Sequence, residues 1–422
     1  MKEKIDTIQK YNLWNGNTID CGFPRTLYTQ MASQYLGGRV VKVLTGQRRV
    51  GKSYILRQIA MLLVQSGVPT NNILIINREL TAFDFIETSR DLDQFIQAYK
   101  EKLRPQGRVY IFIDEVQEID GWERTVNSLS QDYTEEYELF ITGSNSKMLS
   151  GELSTLLSGR YVEFRIFPLS FHEYIFVHHL QENKQGYLQY MGDGGYPELI
   201  HFQSSDMKRN YMSALKDTIL LKDIIHRYTI RDVHLLEDLF AYLISNTSNL
   251  LSVSNIVQFV KSRGRNTTYD TVSAYLGYIE DVFLAHRVLR FNIRGKETLS
   301  GTCKYYMNDL SFKNHLYGGF ASGIGYQLEN LVYLDLLRNG YDVYVGTLRD
   351  KEIDFVAMKN DRTIYLQVAY ILVDEDTIRR EYSPLEKIPD NYEKIVVSLD
   401  DVQFPSRLGI QHLRAWELNA IL

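Results

Sequence analysis

Gly46-Gln47-Arg48-Arg49-Val50-Gly51-Lys52-Ser53 sets two glycines, a lysine and a hydroxyl at the spacing G-x-x-x-x-G-K-[ST]. A loop of this kind holds phosphate. Its glycines let backbone N–H groups turn inward, and the helix it opens favours an anion through unpaired donors and its dipole. All eight residues would line the cradle, with Lys52 reaching the β- and γ-phosphates of ATP or GTP and the Ser53 hydroxyl ligating Mg²⁺. Downstream, Arg108-Val109-Tyr110-Ile111-Phe112-Ile113-Asp114-Glu115 is an apolar run that ends in two acids. Asp114 suits a Mg²⁺ ligand acting through water. Glu115 can orient the attacking water or take its proton. The run could also be only a buried strand that happens to end in two solvated acids, and it is the phosphate loop that favours hydrolysis. After Tyr137-Glu138-Leu139-Phe140-Ile141-Thr142 comes Gly143-Ser144-Asn145-Ser146, where Asn145 first and Ser144 second are candidates to bond the γ-phosphate or the water. The alternative is a plain turn, since these are turn residues. Arg160 could stabilise γ-phosphate charge in cis or across a subunit interface, or serve as a surface ion-pair residue.

The elements that must position these groups can be read around them. The run Val40-Val41-Lys42-Val43-Leu44 before the loop predicts a short buried strand, and Tyr54 to Leu63 after it an apolar-faced helix. The pattern predicts strand 40–45, helix 52–66, strand 73–77, helix 91–103, strand 109–113, helix 121–131, and strands 138–142 and 161–166, with a leading helix over Arg25 to Leu36. Alternation of this kind implies a mostly parallel sheet with helices on both faces. The Glu115 and strand-tip positions favour a strand inserted between the two motif-bearing strands. A capping box at Ser170 and Glu173 opens a helical region that runs to about Asn246, interrupted by the turn cluster Gly192-Asp193-Gly194-Gly195-Tyr196-Pro197.

From Leu251 the pattern changes to two short helices around Ser262-Arg263-Gly264-Arg265-Asn266, then a strand and a basic turn, Arg294-Gly295-Lys296. This reads as a winged helix-turn-helix. Arg263, Arg265, Arg290, Arg294 and Lys296 could contact DNA phosphates, and Thr267 and Thr268 base edges. Protein contact is equally open. From about Lys304 the chain returns to α/β, with a helix over Gly325 to Leu337 and strands at 341–346, 352–358, 363–369 and 394–398.

The 422 residues predict two or three domains, and a net charge of -5 argues against a chain-wide nucleic-acid footprint. Cys21 and Cys303 are the only cysteines, so no disulfide framework or zinc pattern is expected. The N-terminus lacks a signal-peptide core and no apolar run is long enough to span a membrane, so a cytoplasmic location is expected.

The phosphate loop, Asp114-Glu115-Val116-Gln117, Thr142-Gly143-Ser144-Asn145, Pro168-Leu169-Ser170-Phe171 and Gly194-Gly195-Tyr196-Pro197 together resemble bacterial and archaeal AAA-like, STAND-related P-loop ATPases with a C-terminal domain of unknown function. The resemblance implies an ATPase core over 1–166, a helical region over 167–246, a winged helix over 247–300 and a PD-(D/E)xK nuclease-like, restriction-endonuclease-like α/β domain over 301–422. Asp354 would then stand for the nuclease's first acid, with Glu329 on the preceding helix. The second motif is Gln367-Val368-Ala369, in which a neutral amide replaces a carboxylate and alanine replaces the lysine, so cleavage is not expected. The expected activity is Mg²⁺-dependent ATP hydrolysis that gates C-terminal interaction domains, with DNA over 251–296, a protein or a second copy of the chain as partner. The alternatives are a non-hydrolysing nucleotide-gated module and a DNA nuclease.

Overall fold

A computed structural model describes residues 2–144, 157, 159–320, 323–349 and 351–422. The chain divides into two compact units, Met1–Ile166 and Phe167–Leu422.

The first unit is built on five short apolar strands, β1 (Val41–Thr45), β2 (Ile73–Asn77), β3 (Val109–Asp114), β4 (Tyr137–Gly143) and β5 (Tyr161–Arg165). All pair in parallel in the order β2-β3-β4-β1-β5. β4 therefore lies between the strand that ends in the phosphate loop and the strand that ends in Asp114. Near-continuous apolar runs are what a sheet covered on both faces requires. Alternate residues make one face: Val41 and Val43, Leu74 and Ile76, Ile111 and Ile113, Leu139 and Ile141. They bury against α1 (Lys2–Ile8), α4 (Ser89–Leu103) and α5 (Trp122–Gln131). α2 (Thr26–Ser33) packs on α3 (Lys52–Gln65), which packs against β3 and β4. α4 starts at a full capping box, Thr88 with Asp91. Inside the sheet, Lys42 on β1 and Glu138 on β4 form a fully buried ion pair of 2.7 Å. Glu138 also accepts the Gly37 N–H, and Lys42 donates to the Gly38 carbonyl, so neither charge is left without a partner.

The second unit starts with α6 (Phe171–His178), α7 (Lys184–Asp193), α8 (Ser205–Thr218) and α9 (Val233–Ser245). Ser170 Oγ accepts the Glu173 N–H at 3.3 Å and Glu173 accepts the Ser170 N–H at 2.8 Å, the reciprocal cap read from the sequence. Then come β6 (Leu250–Leu251), α10 (Val253–Ser262), α11 (Tyr269–Asp281), and the hairpin of β7 (Ala285–Asn292) and β8 (Glu297–Met307). The rest is α12 (Ser311–Leu316), α13 (Ile324–Arg338), β9 (Asp342–Leu348), β10 (Lys351–Lys359), β11 (Arg362–Ala369), α14 (Glu375–Glu386), β12 (Glu393–Ser398) and β13 (Ile410–Arg414).

These strands form one mixed eight-stranded sheet, β13-β12-β11-β10-β9-β7-β8-β6. The boundary expected at 300/301 thus falls inside β8. β7 pairs antiparallel with β8 and parallel with β9, so hydrogen bonding runs unbroken across the expected division. One face of the sheet packs on α13, through residues such as Leu331, Leu334, Val345, Phe355 and Leu366. The other packs on α14 through Val356, Tyr365, Val396, Tyr382 and Leu385.

The motifs Pro168-Leu169-Ser170-Phe171 and Gly194-Gly195-Tyr196-Pro197 meet here. The Leu169 N–H donates to the Gly195 carbonyl at 2.7 Å, and the Gly195 N–H donates to the buried Asp309 carboxylate at 2.7 Å. A Cβ on Gly194 would lie 2.0 Å from Ser311 Oγ at a backbone φ of +82°, so only glycine fits.

Candidate nucleotide site

The loop after β1 is shaped by its first residue. Gly46 has φ +140°, and a Cβ there would sit 2.2 Å from the Ile166 carbonyl oxygen. Ile166 in turn donates its N–H to the Thr45 carbonyl at 2.7 Å, fixing the loop's root on β5. Arg49 and Gly51 take left-handed backbone at φ 67° and 99°, and the chain enters α3 at Lys52. Lys52 is buried, and its Nζ donates to the carbonyls of Gly46 and Gln47 at 2.9 and 3.0 Å. The ammonium therefore spans the inside of the loop, where a phosphate would meet it. Gln47 and Val50 are also buried. Arg48 turns to Glu79 at 3.1 Å. Arg25, just before α2, is buried and donates through Nη1 to the Val50 carbonyl at 2.9 Å, bracing the loop from outside.

Opposite the loop, the end of β3 presents Asp114 and Glu115, both buried. Ser53, at the start of α3, is near enough for its hydroxyl to act on the Asp114 carboxyl. Burial pushes the Asp114 carboxyl up to about 6, the Glu115 charge adds to this, and the Ser53 and Thr142 hydroxyls with the Lys52 charge oppose it. A divalent cation against Asp114 would favour its charged form. Glu115 stands in left-handed backbone at φ 52°, and its carboxylate accepts from Gln117 Nε2.

Thr142 on β4 fastens the pair: its hydroxyl donates to Asp114 Oδ1 at 2.6 Å and accepts the Glu115 N–H at 2.9 Å. The sequence pattern assigns Thr142 no role, although a threonine near the end of a buried central strand is the available signal. Thr142→Val is expected to cost about 1–3 kcal/mol of stability, because a buried N–H and a buried carboxylate each lose a partner. Urea unfolding beside Thr142→Ser, which keeps the hydroxyl, checks it.

Ser144 is buried just beyond β4, whereas Asn145 lies outside the described residues. Arg160 is not brought to the loop. Its carbonyl accepts the Val41 N–H at 3.0 Å, so it stands level with the start of β1, and its side chain is exposed. The phosphate loop leaves the opposite end of β1, about 16 Å away at a strand's rise per residue. The parallel register of β5 on β1 is the reason.

In the second unit, the residues nominated for DNA are partly engaged within the protein. Arg265 pairs with Asp238 at 3.3 Å and lies 3.7 Å from Asp232, and Arg290 bonds Thr347 and Thr302. Thr268 caps α11 by accepting the Thr271 N–H at 3.2 Å. Arg263, Arg294 and Lys296 are exposed, Arg263 over the Phe259 ring.

The acids read against the nuclease pattern do come together. A lysine joins them that the linear motif does not contain. Lys304 on β8 is buried, 2.9 Å from Glu329, 2.7 Å from Glu352 and 4.0 Å from Asp354. Burial works against its ammonium, but these carboxylates outweigh it and raise the Lys304 pKa. Asp354 is raised well above the usual range by burial and then by the Glu329 charge, and it accepts the Val368 N–H at 2.8 Å. Gln367 donates to Glu381 at 3.2 Å. Among the described residues, no group of three His, Cys, Asp or Glu side chains is disposed to hold a metal ion, and no helix is long and apolar enough to cross a membrane.

Comparison with known proteins adds the family. Residues 38–175 match the AAA domain, and residues 184–323 match a domain of unknown function, DUF8612. The first match covers the strands, loop and acids described above, and with the parallel sheet it makes the first unit an AAA-type nucleotide-binding domain of the P-loop fold. An uncharacterized protein of Haemophilus influenzae is 37% identical over 379 residues, covering 89% of this chain and 92% of its own length. An uncharacterized protein of Methanocaldococcus jannaschii is 28% identical, covering 86% of this chain and 83% of its own length. Among solved structures, the Aeropyrum pernix ORC1 protein in complex with DNA is 13% identical, covering 72% of this chain and 94% of its own. Its TM-score of 0.30 is too low a likeness to bear on this protein.

Proposed function

Because the chain belongs to the family of the Haemophilus influenzae relative and its residues 38–175 match the AAA domain, we propose that it is a Mg²⁺-dependent ATPase, slow by itself, whose nucleotide state gates its C-terminal interaction domains. The observation that carries this reading is the buried pair Asp114 and Glu115 at the end of β3, fastened by Thr142, together with a phosphate loop whose Lys52 is buried inside it. A loop that only held phosphate would have no need of an acid pair beside it.

The roles follow from position. Lys52 neutralises the β- and γ-phosphates, Ser53 and Asp114 hold Mg²⁺, and Glu115 takes the proton of the attacking water. Mg²⁺ bound there supplies charge stabilisation at the phosphate oxygens. Ser144 and Asn145 remain the candidates at the strand tip. Arg160, at the far end of β5, could act only on a neighbouring copy. α9, β6, α10, α11 and the β7–β8 hairpin follow one another as a winged helix-turn-helix does, and Arg263, Arg294 and Lys296 are the groups left to meet DNA or an acidic protein surface. Phosphate release with and without Mg²⁺, and with and without DNA, tests the reading. Release that needs Mg²⁺ is expected; ATP binding with no release would favour the non-hydrolysing module.

Nuclease activity is the second reading, and Lys304 is the observation in its favour. We nevertheless expect no cleavage of plasmid DNA in Mg²⁺ or Mn²⁺. The Lys304 ammonium already lies against Glu329 and Glu352, and Gln367 offers a hard cation only a neutral oxygen. Cleavage by the wild type that disappears in Asp354→Ala would reverse this expectation.

A further inference from the structure

Gln117 is the one member of the Asp114-Glu115-Val116-Gln117 run to which nothing above gives a task. After Glu115 the chain makes a single 3₁₀ turn over Val116–Glu118, and Val116 goes into the core. The turn brings the Gln117 side chain back onto Glu115, where its Nε2 donates to the Glu115 carboxylate. A carboxylate only accepts, so the amide orientation is fixed by chemistry: nitrogen toward Glu115, oxygen away. That oxygen, Oε1, is buried and has no hydrogen-bond partner among the described residues. Buried acceptors are nearly always satisfied, and an exception at the end of a site-bearing strand calls for a ligand that supplies a hydrogen.

We propose that Gln117 orients the water that Glu115 activates. This rests on the ATPase reading above. The amide nitrogen holds the carboxylate in one rotamer, and Oε1 accepts one hydrogen of the water whose other hydrogen points to Glu115. The water oxygen forms the new bond to the γ-phosphorus as the bond to the ADP oxygen breaks. The proton goes to Glu115, and Gln117 gains and loses none. A glutamine suits this task because it can donate to a carboxylate and accept from a water at once.

The test compares Gln117→Met, which keeps the length and loses both polar atoms, with Gln117→His, which keeps a donor and an acceptor. ATP affinity by calorimetry, thermal midpoint and steady-state hydrolysis are measured on the full chain. For Gln117→Met the expected result is unchanged KM and ATP affinity with kcat lowered roughly 10- to 100-fold, the worth of a hydrogen bond to a charged or reacting group. Gln117→His should recover part of kcat. A kcat equal to wild type or higher in Gln117→Met, or a loss in affinity and thermal midpoint matching the loss in rate, overturns the proposal and leaves the ATPase reading standing. A wild type that binds ATP and never releases phosphate overturns both. If Gln117→Met fails to fold, the rate and affinity of Gln117→His decide in its place: a rate at or below one-thousandth of wild type at unchanged affinity excludes a shared donor–acceptor role.

Discussion

Lys52→Ala is expected to lose tight ATP binding altogether. Lys52 is the buried cation inside the phosphate loop, and its Nζ sits where the Gly46 and Gln47 carbonyls draw it over the cradle. ATP would exchange these neutral acceptors for charged phosphate oxygens, a gain only a cation can make. Two charge-assisted bonds of about 1.5–3 kcal/mol each imply a loss of at least about 100-fold in affinity. The same substitution removes the two bonds within the loop, so a thermal melt belongs beside the titration to show that the domain remains folded. Calorimetry with ATP and Mg²⁺ reads the result. Undiminished affinity would place the nucleotide somewhere other than this loop.

Glu115→Gln should separate binding from turnover. The amide has nearly the shape of the carboxylate and can still hydrogen-bond water, but it cannot take the proton, which removes roughly 10²–10⁴ in rate for a general base. ATP affinity should hold within a few-fold, since Lys52, Ser53 and Asp114 are untouched. The bond from the Glu115 N–H to the Thr142 hydroxyl, which helps set the strand end, uses only the backbone of residue 115 and survives the change. Wild-type turnover in this variant would make Glu115 structural and leave the reaction without a base among the acids of β3.

Much of the nucleotide site was legible because its chemistry is local. The spacing of Gly46, Gly51, Lys52 and Ser53 is a contiguous pattern whose backbone geometry follows from the residues themselves, as the left-handed φ at Gly51 illustrates. The apolar runs of β1, β3 and β4 predicted buried parallel strands, and the placement of a strand between the two motif strands agrees with the observed order. In the second unit the cap at Ser170 and Glu173 was legible for the same reason: donor and acceptor are three residues apart.

Register, and which distant strands meet in the second unit, could not be read this way. Thr142 reaches Asp114 and Glu115 across 28 and 27 residues of sequence, because β4 lies beside β3 with its end level with theirs. Lys304 reaches Glu329 across 25 residues, because β8 and α13 meet at that point. A lysine absent from the linear motif was thus supplied from another strand. Arg160, close in sequence to the candidate strand tip, was carried to the far end of the sheet by the parallel start of β5 beside β1. The sequence by itself determined the phosphate loop, the acid pair and the elements that hold them, since each depends on neighbours within a turn or a strand. The tertiary structure alone decided which distant side chains complete those groups, because a shift of one residue in strand pairing turns every side chain to the opposite face, and only the packed core fixes that choice.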